Sequence, residues 1–94
     1  MKRLLLLIAV VGCTPRLPPH ATEADAVRAN VALSELASGR TMVIKKCGGC
    51  HRPPQPKAHT AAEWPRSLDE MSTRSNLDAE QRRLIQLYLV SLAR

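Results

Sequence analysis

The stretch Ser34–His51, SELASGRTMVIKKCGGCH, decides the fold. Leu36, Gly39, Val43 and Cys47 follow one another at steps of three or four residues. A helix places such residues on one side, so the spacing predicts a helix over about 34–46 with this stripe buried. A glycine inside a helix costs about 1 kcal/mol relative to alanine. Read from the helix alone, Gly39 is a plain defect. The stripe runs into Cys47-Gly48-Gly49-Cys50-His51, where two thiols and an imidazole stand at i, i+3 and i+4. On a helical or near-helical turn all three share one side.

Working outward, the remaining signals are also helical. Leu77-Asp78-Ala79-Glu80-Gln81 opens a helix, with Asp78 as N-cap and Gln81 reaching back. Leu84, Ile85, Tyr88, Leu89 and Leu92 form its apolar face, and Arg94 suits the negative end of its dipole. Thr60 and Glu63 make a second capping box ahead of Trp64, Leu68 and Met71, which share a stripe. Pro65 sits in that first turn, where a missing N–H costs little. Thr22 with Asp25 starts a short helix through Ala24, Val27 and Val31. Two proline-dense segments cannot be helical: Thr14–His20, expected extended and poorly packed, and Arg52–Pro56, expected extended. No run rich in Val, Ile, Thr or aromatics alternates with period two, so strands are not predicted.

The chain has 94 residues, with one Trp, one Tyr and no Phe. That length excludes multidomain enzymes and Rossmann or barrel folds. So small a chain, poor in large rings, buries little surface, and a covalent or metal staple is expected. The formal charge is +6. Its cations are scattered and stacking aromatics are missing, so no nucleic-acid role is expected. A mildly basic surface suits acidic partner proteins or anionic lipid.

Residues 1–13 read MKRLLLLIAVVGC. Lys2 and Arg3 precede an apolar run from Leu4 to Val11, which is too short to span a bilayer but fits a secretory signal. Val10-Val11-Gly12-Cys13 resembles the lipobox of bacterial lipoproteins. That resemblance implies a signal peptide at 1–12, removed in maturation, and acylation of Cys13. The soluble part would then be membrane-tethered on the periplasmic side. The rest divides into a tether with a possible short helix, 13–33, and a domain at 34–94. Loss of Lys2 and Arg3 would leave a mature charge of +6 − 2 = +4.

With Cys13 carrying lipid, Cys47 and Cys50 remain. C-x-x-C-H is the attachment signature of c-type haem. The two sulfurs reach the vinyl groups at one edge of the porphyrin, and His51 becomes the proximal iron ligand. Gly48 and Gly49 let a flat ring approach the backbone. Three rivals fit less well. A Cys47–Cys50 disulfide would constrain very little chain. A thiol redox pair lacks its βαβ setting. A zinc site lacks a second closely spaced ligand pair, since only His20, His51 and His59 accompany the cysteines.

The spacing Gly-x3-apolar-x3-Cys-x2-Cys-His resembles the N-terminal helix of class I cytochromes c, and the terminal helix with Tyr88-Leu89 resembles that family's last helix. The resemblance covers about 34–94. It implies that Gly39 is crossed by the C-terminal helix, with Tyr88 against the Gly39–Val43 face. Val43 is smaller than the aromatic usual there. It also implies that a carbonyl of Pro53, Pro54 or Pro56 accepts from the proximal histidine. The distal ligand would be a methionine after the motif, which makes Met71 the candidate. His59 or an open site are the alternatives. Met42 is expected to be packing, and Trp64 to fill the core or lie near a haem propionate. Lys45, Lys46, Arg52 and Lys57 would be ordinary surface or steer partners.

The expectation is therefore an all-α bundle of three to four short helices around one covalent haem c. Its role would be that of a lipid-anchored one-electron carrier, serving redox partner proteins with acidic docking faces, with no catalytic residues. The rivals are a haem sensor or peroxidase-like enzyme with an open sixth site, and a haem-free zinc or thiol lipoprotein.

Overall fold

The structure, a computed structural model, describes residues 16–49 and 51–94. Cys13 and Cys50 lie outside the described residues. Within these, the chain forms four α-helices: α1 (Glu23–Ala29), α2 (Leu33–Met42), α3 (Trp64–Ser75) and α4 (Ala79–Ser91). No strand occurs among the described residues. The protein is thus a small all-α bundle. None of the described helices is long and apolar enough to cross a membrane.

Local chemistry sets the helix ends. The Thr22–Asp25 box starts α1: the Thr22 hydroxyl accepts from Asp25 N–H, and the Asp25 carboxylate accepts from Thr22 N–H. Asp78 and Gln81 make the same exchange at α4. The Thr60–Glu63 exchange also forms, but it closes a turn over 61–63, and α3 proper begins one turn later at Trp64. Asn30 and Asn76 take left-handed conformations, φ 55° and 53°, to end α1 and α3. Asparagine tolerates that region better than most residues.

The core is built where α4 crosses α2 and α3. Val43, Trp64, Leu68, Ile85, Tyr88, Leu89 and Leu92 form one buried cluster. The expected stripe Leu36–Gly39–Val43–Cys47 is buried along its whole length. At Gly39 the two helices touch backbone to backbone. A Cβ there would lie 2.2 Å from the Leu84 carbonyl oxygen and 2.7 Å from Tyr88 Cβ. Gly39 is therefore a crossing point and not a defect. Around it, Arg83 bridges Glu35 of α2 at 3.2 Å, and Arg82 bridges Asp69 of α3 at 2.6 Å. Both pairs are largely exposed and contribute modestly.

Two expectations change. The predicted helix over 34–46 keeps its α geometry only to Met42; Val43–Cys47 widen into a single π turn. Such turns insert one extra residue into a helix and recur at functional sites. The second change concerns the proline-dense segment. It is extended, but it is packed. Pro18 is fully buried, and its carbonyl accepts from Arg40 Nε at 2.9 Å. The Pro19 carbonyl accepts from the Tyr88 hydroxyl. Extended proline segments form no internal hydrogen bonds, so their carbonyls are open to distant donors. The packed unit thus reaches well N-terminal of residue 34. Desolvation pushes the Tyr88 hydroxyl up to about 12, so it remains a donor at neutral pH. Tyr88→Phe should cost about 1 kcal/mol and raise hydrogen exchange in residues 17–22, with α4 unchanged. Equal protection in both proteins would show that this bond does not hold the segment.

Candidate haem-attachment site

The motif begins inside the fold. Cys47 ends the π turn and is 4% exposed. Burial pushes its thiol above the ordinary cysteine range. Thiol redox centres need the opposite, a depressed pKa that makes thiolate available. A buried thiol with a raised pKa at the end of an apolar stripe does not match a disulfide-exchange centre.

Gly48 and Gly49 differ. A Cβ on Gly48 would meet the Ile44 carbonyl oxygen at 2.4 Å and Pro53 Cγ at 3.3 Å. Gly48 is thus needed by the chain's own folding around the π turn. A Cβ on Gly49 would meet nothing within 4 Å. The backbone there borders open space, which leaves room for a flat group.

His51 is exposed, and its Nδ1 lies 2.7 Å from the Arg52 carbonyl oxygen. The carbonyl only accepts, so Nδ1 is the donor in this contact, and in the neutral ring Nε2 then keeps its lone pair. That tautomer is the one needed for ligation through Nε2. The expected acceptor was a proline; the structure uses Arg52 instead. Pro56 has another partner: its carbonyl accepts from the Trp64 indole N–H at 2.8 Å. The loop after the motif is pinned further along its length. Gln55 Nε2 donates to the Arg16 carbonyl at 3.0 Å, and residues 56–58 close a 3₁₀ turn.

The remaining candidates fall into two groups. Trp64 is 1% exposed within the core, with its N–H committed to Pro56. It fills the core and pins the loop. Met71 is half-buried on the α3 stripe and packs against the core cluster, as does Met42 on α2. His59 packs edge-to-face on Trp64, with centroids 4.8 Å apart, and its Nδ1 lies 3.7 Å from a Glu63 carboxylate oxygen. That carboxylate is held below its ordinary range, chiefly by the Thr60 hydroxyl and backbone. His59 is thus turned toward the start of α3 and has two neighbours of its own, whereas Met71 lies against the core. Lys45, Lys46, Arg52 and Lys57 are exposed.

No protein-family model, curated protein or solved structure matches this chain. The site therefore stands on its own chemistry. Among the described residues no cluster of three His, Cys, Asp or Glu side chains is arranged to hold a metal ion directly. The donors present are a buried thiol, an imidazole with a free Nε2 and a half-buried thioether. Cys50, three residues on from Cys47, completes the C-x-x-C-H spacing in the sequence.

The proline carbonyls and the Arg52 carbonyl carry no side-chain signature, so sequence reasoning missed both. A clue to the first existed in Arg40 and Tyr88, which are polar groups on otherwise buried stripes and need partners.

Proposed function

We propose that this protein is a one-electron carrier with a single c-type haem, exported and tethered to a bacterial membrane through acylated Cys13. The observation that carries the reading is the state of the C-x-x-C-H motif. Cys47 is buried at the end of the apolar stripe, and His51 follows it by four residues with Nδ1 engaged by the Arg52 carbonyl.

A covalent haem, when bound, supplies a reversible Fe(III)/Fe(II) couple. The chain's own residues do the rest. Cys47 and Cys50 hold the group, and the Arg52 carbonyl fixes the His51 ring and tunes its basicity. Met71 would supply the distal ligand. No acid, base or nucleophile is required.

The test is a reduced-minus-oxidised absorption spectrum of protein matured in a host that attaches haem. A low-spin c-type spectrum is expected, unresponsive to carbon monoxide. A ligand-induced shift in the reduced state would replace this reading with the open-site sensor or peroxidase. Met71→Ala should remove the thioether–iron band and lower the reduction potential by about 0.1 V or more, a fraction of the ~0.8 V that axial ligands span. If instead the band survives, Met71 is core filler and His59→Ala becomes the informative variant.

A further inference from the structure

Resting on the lipoprotein reading, we infer that the face formed by the docked N-terminal segment and the loop after the motif lies against an anionic bilayer. The first ground is reach. A tether of some 20 residues, free throughout, would let the domain swing. The structure leaves far less slack, because Pro18, Pro19 and the Arg16 carbonyl are already bound to Arg40, Tyr88 and Gln55. Only Thr14 and Pro15 separate Arg16 from Cys13. Three Cα steps span at most about 11 Å. The acylated residue must therefore sit within that distance of Arg16, and Arg16 sits beside the loop that begins four residues earlier than Gln55, at His51.

The second ground is the chemistry of that face. Arg16, Arg52 and Lys57 are exposed, and none has a carboxylate within 4.0 Å among the described residues. Pro19, His20 and Lys57 line one surface hollow with Asp25, and that acid is already paired with Arg28 at 2.6 Å. Arg94 joins the edge by reaching the Ala58 carbonyl at 3.5 Å, with Glu63 as its acidic neighbour. Leu17, next to Arg16, is 55% exposed and offers an apolar side chain beside the cations. Basic side chains on the segment and loop that also carry an exposed leucine, on a leash this short, suit anionic headgroups over a shallow acyl boundary. An acidic protein would match the charges but would leave Leu17 and the leash unexplained.

The test uses the mature protein carrying haem and lipid, in vesicles of phosphatidylcholine alone or mixed with phosphatidylglycerol. Arginines are labelled with phenylglyoxal and lysines with an acetylating ester, and modification is read by mass spectrometry. Labelling of Arg16, Arg52, Lys57 and Arg94 should fall about threefold or more on phosphatidylglycerol, and recover in high salt. Arg74 and Arg83 serve as internal references and should not change. Arg16→Glu/Arg52→Glu/Lys57→Glu, labelled at Arg94, should lose the protection. Equal labelling in both vesicles, with the lipid mass present on Cys13, would overturn the orientation and leave the lipoprotein reading intact. Protection by poly-L-glutamate but not by vesicles would reassign the face to an acidic protein. Absence of lipid on Cys13 would remove the lipoprotein reading and the leash together, whatever the footprint.

Discussion

Gly39→Ala should lower the melting temperature by about 10 °C, and Gly39→Val should leave little folded protein at 37 °C. In an isolated helix the alanine substitution would gain about 1 kcal/mol. Here the new Cβ would stand 2.2 Å from the Leu84 carbonyl oxygen and 2.7 Å from Tyr88 Cβ. Neither neighbour can yield alone, because one is helix backbone and the other begins a fully buried side chain. The helices must separate, which loosens Val43, Ile85 and Leu89 in the same cluster. Overpacking of this kind costs up to about 3 kcal/mol. Net of the propensity gain, about 2 kcal/mol is lost, and each kcal/mol shifts the midpoint of so small a domain by about 4–8 °C. Valine adds two methyls and a stiff χ1 to the same gap. Ser38→Ala, one residue away and exposed, is the control and should be neutral or slightly stabilising. Far-UV circular dichroism against temperature reads all three. A Gly39→Ala midpoint equal to wild type would mean that α2 and α4 do not cross there.

The same crossing shows which parts of the fold were legible in the sequence. Capping boxes are legible because both partners sit three residues apart, and Thr22–Asp25, Thr60–Glu63 and Asp78–Gln81 all formed. The stripe from Leu36 to Cys47 was legible because burial repeats with the helix. That Tyr88 would meet Gly39 came from the resemblance to class I cytochromes c, since periodicity alone does not pair one helix with another. The docked N-terminal segment was not legible. Its bonds join residues 22 and 69 positions apart through backbone carbonyls, which every residue possesses. Proline density correctly indicated extended chain and wrongly suggested loose chain, because exposed carbonyls attract donors as readily as water does. The His51 partner failed for the same reason: Arg52 and three nearby prolines offer identical acceptors, and only the local bend over 51–52 selects one. The π turn depends on one extra residue in a helical circuit, which a stripe with mixed steps of three and four does not reveal.

Cys47→Ser/Cys50→Ser, made in a host that matures c-type cytochromes, should abolish covalent haem completely, while each single substitution should leave a weakened, single-thioether product. The reason lies in what the chain provides without those sulfurs. His51 is exposed and holds only the neighbouring Arg52 carbonyl. Met71 is drawn toward the core cluster. Two axial contacts on so small a scaffold do not retain a porphyrin through denaturation, whereas thioethers do. The two sulfurs are not equivalent. Cys47 is buried at the end of the apolar stripe, so Cys47→Ser also places a hydroxyl in apolar surroundings, at about 1–3 kcal/mol if it finds no partner. Cys47→Ala separates the two effects, because it deletes the sulfur without adding a polar atom. Haem staining on a denaturing gel reads attachment, and urea unfolding reads stability. Cys47→Ser and Cys47→Ala should show the same weakened, single-thioether attachment and differ in stability. Undiminished staining in the double variant would break the link between this motif and haem. A colourless wild type that binds zinc stoichiometrically would transfer the site to the metal reading, with Cys47, Cys50 and His51 as ligands.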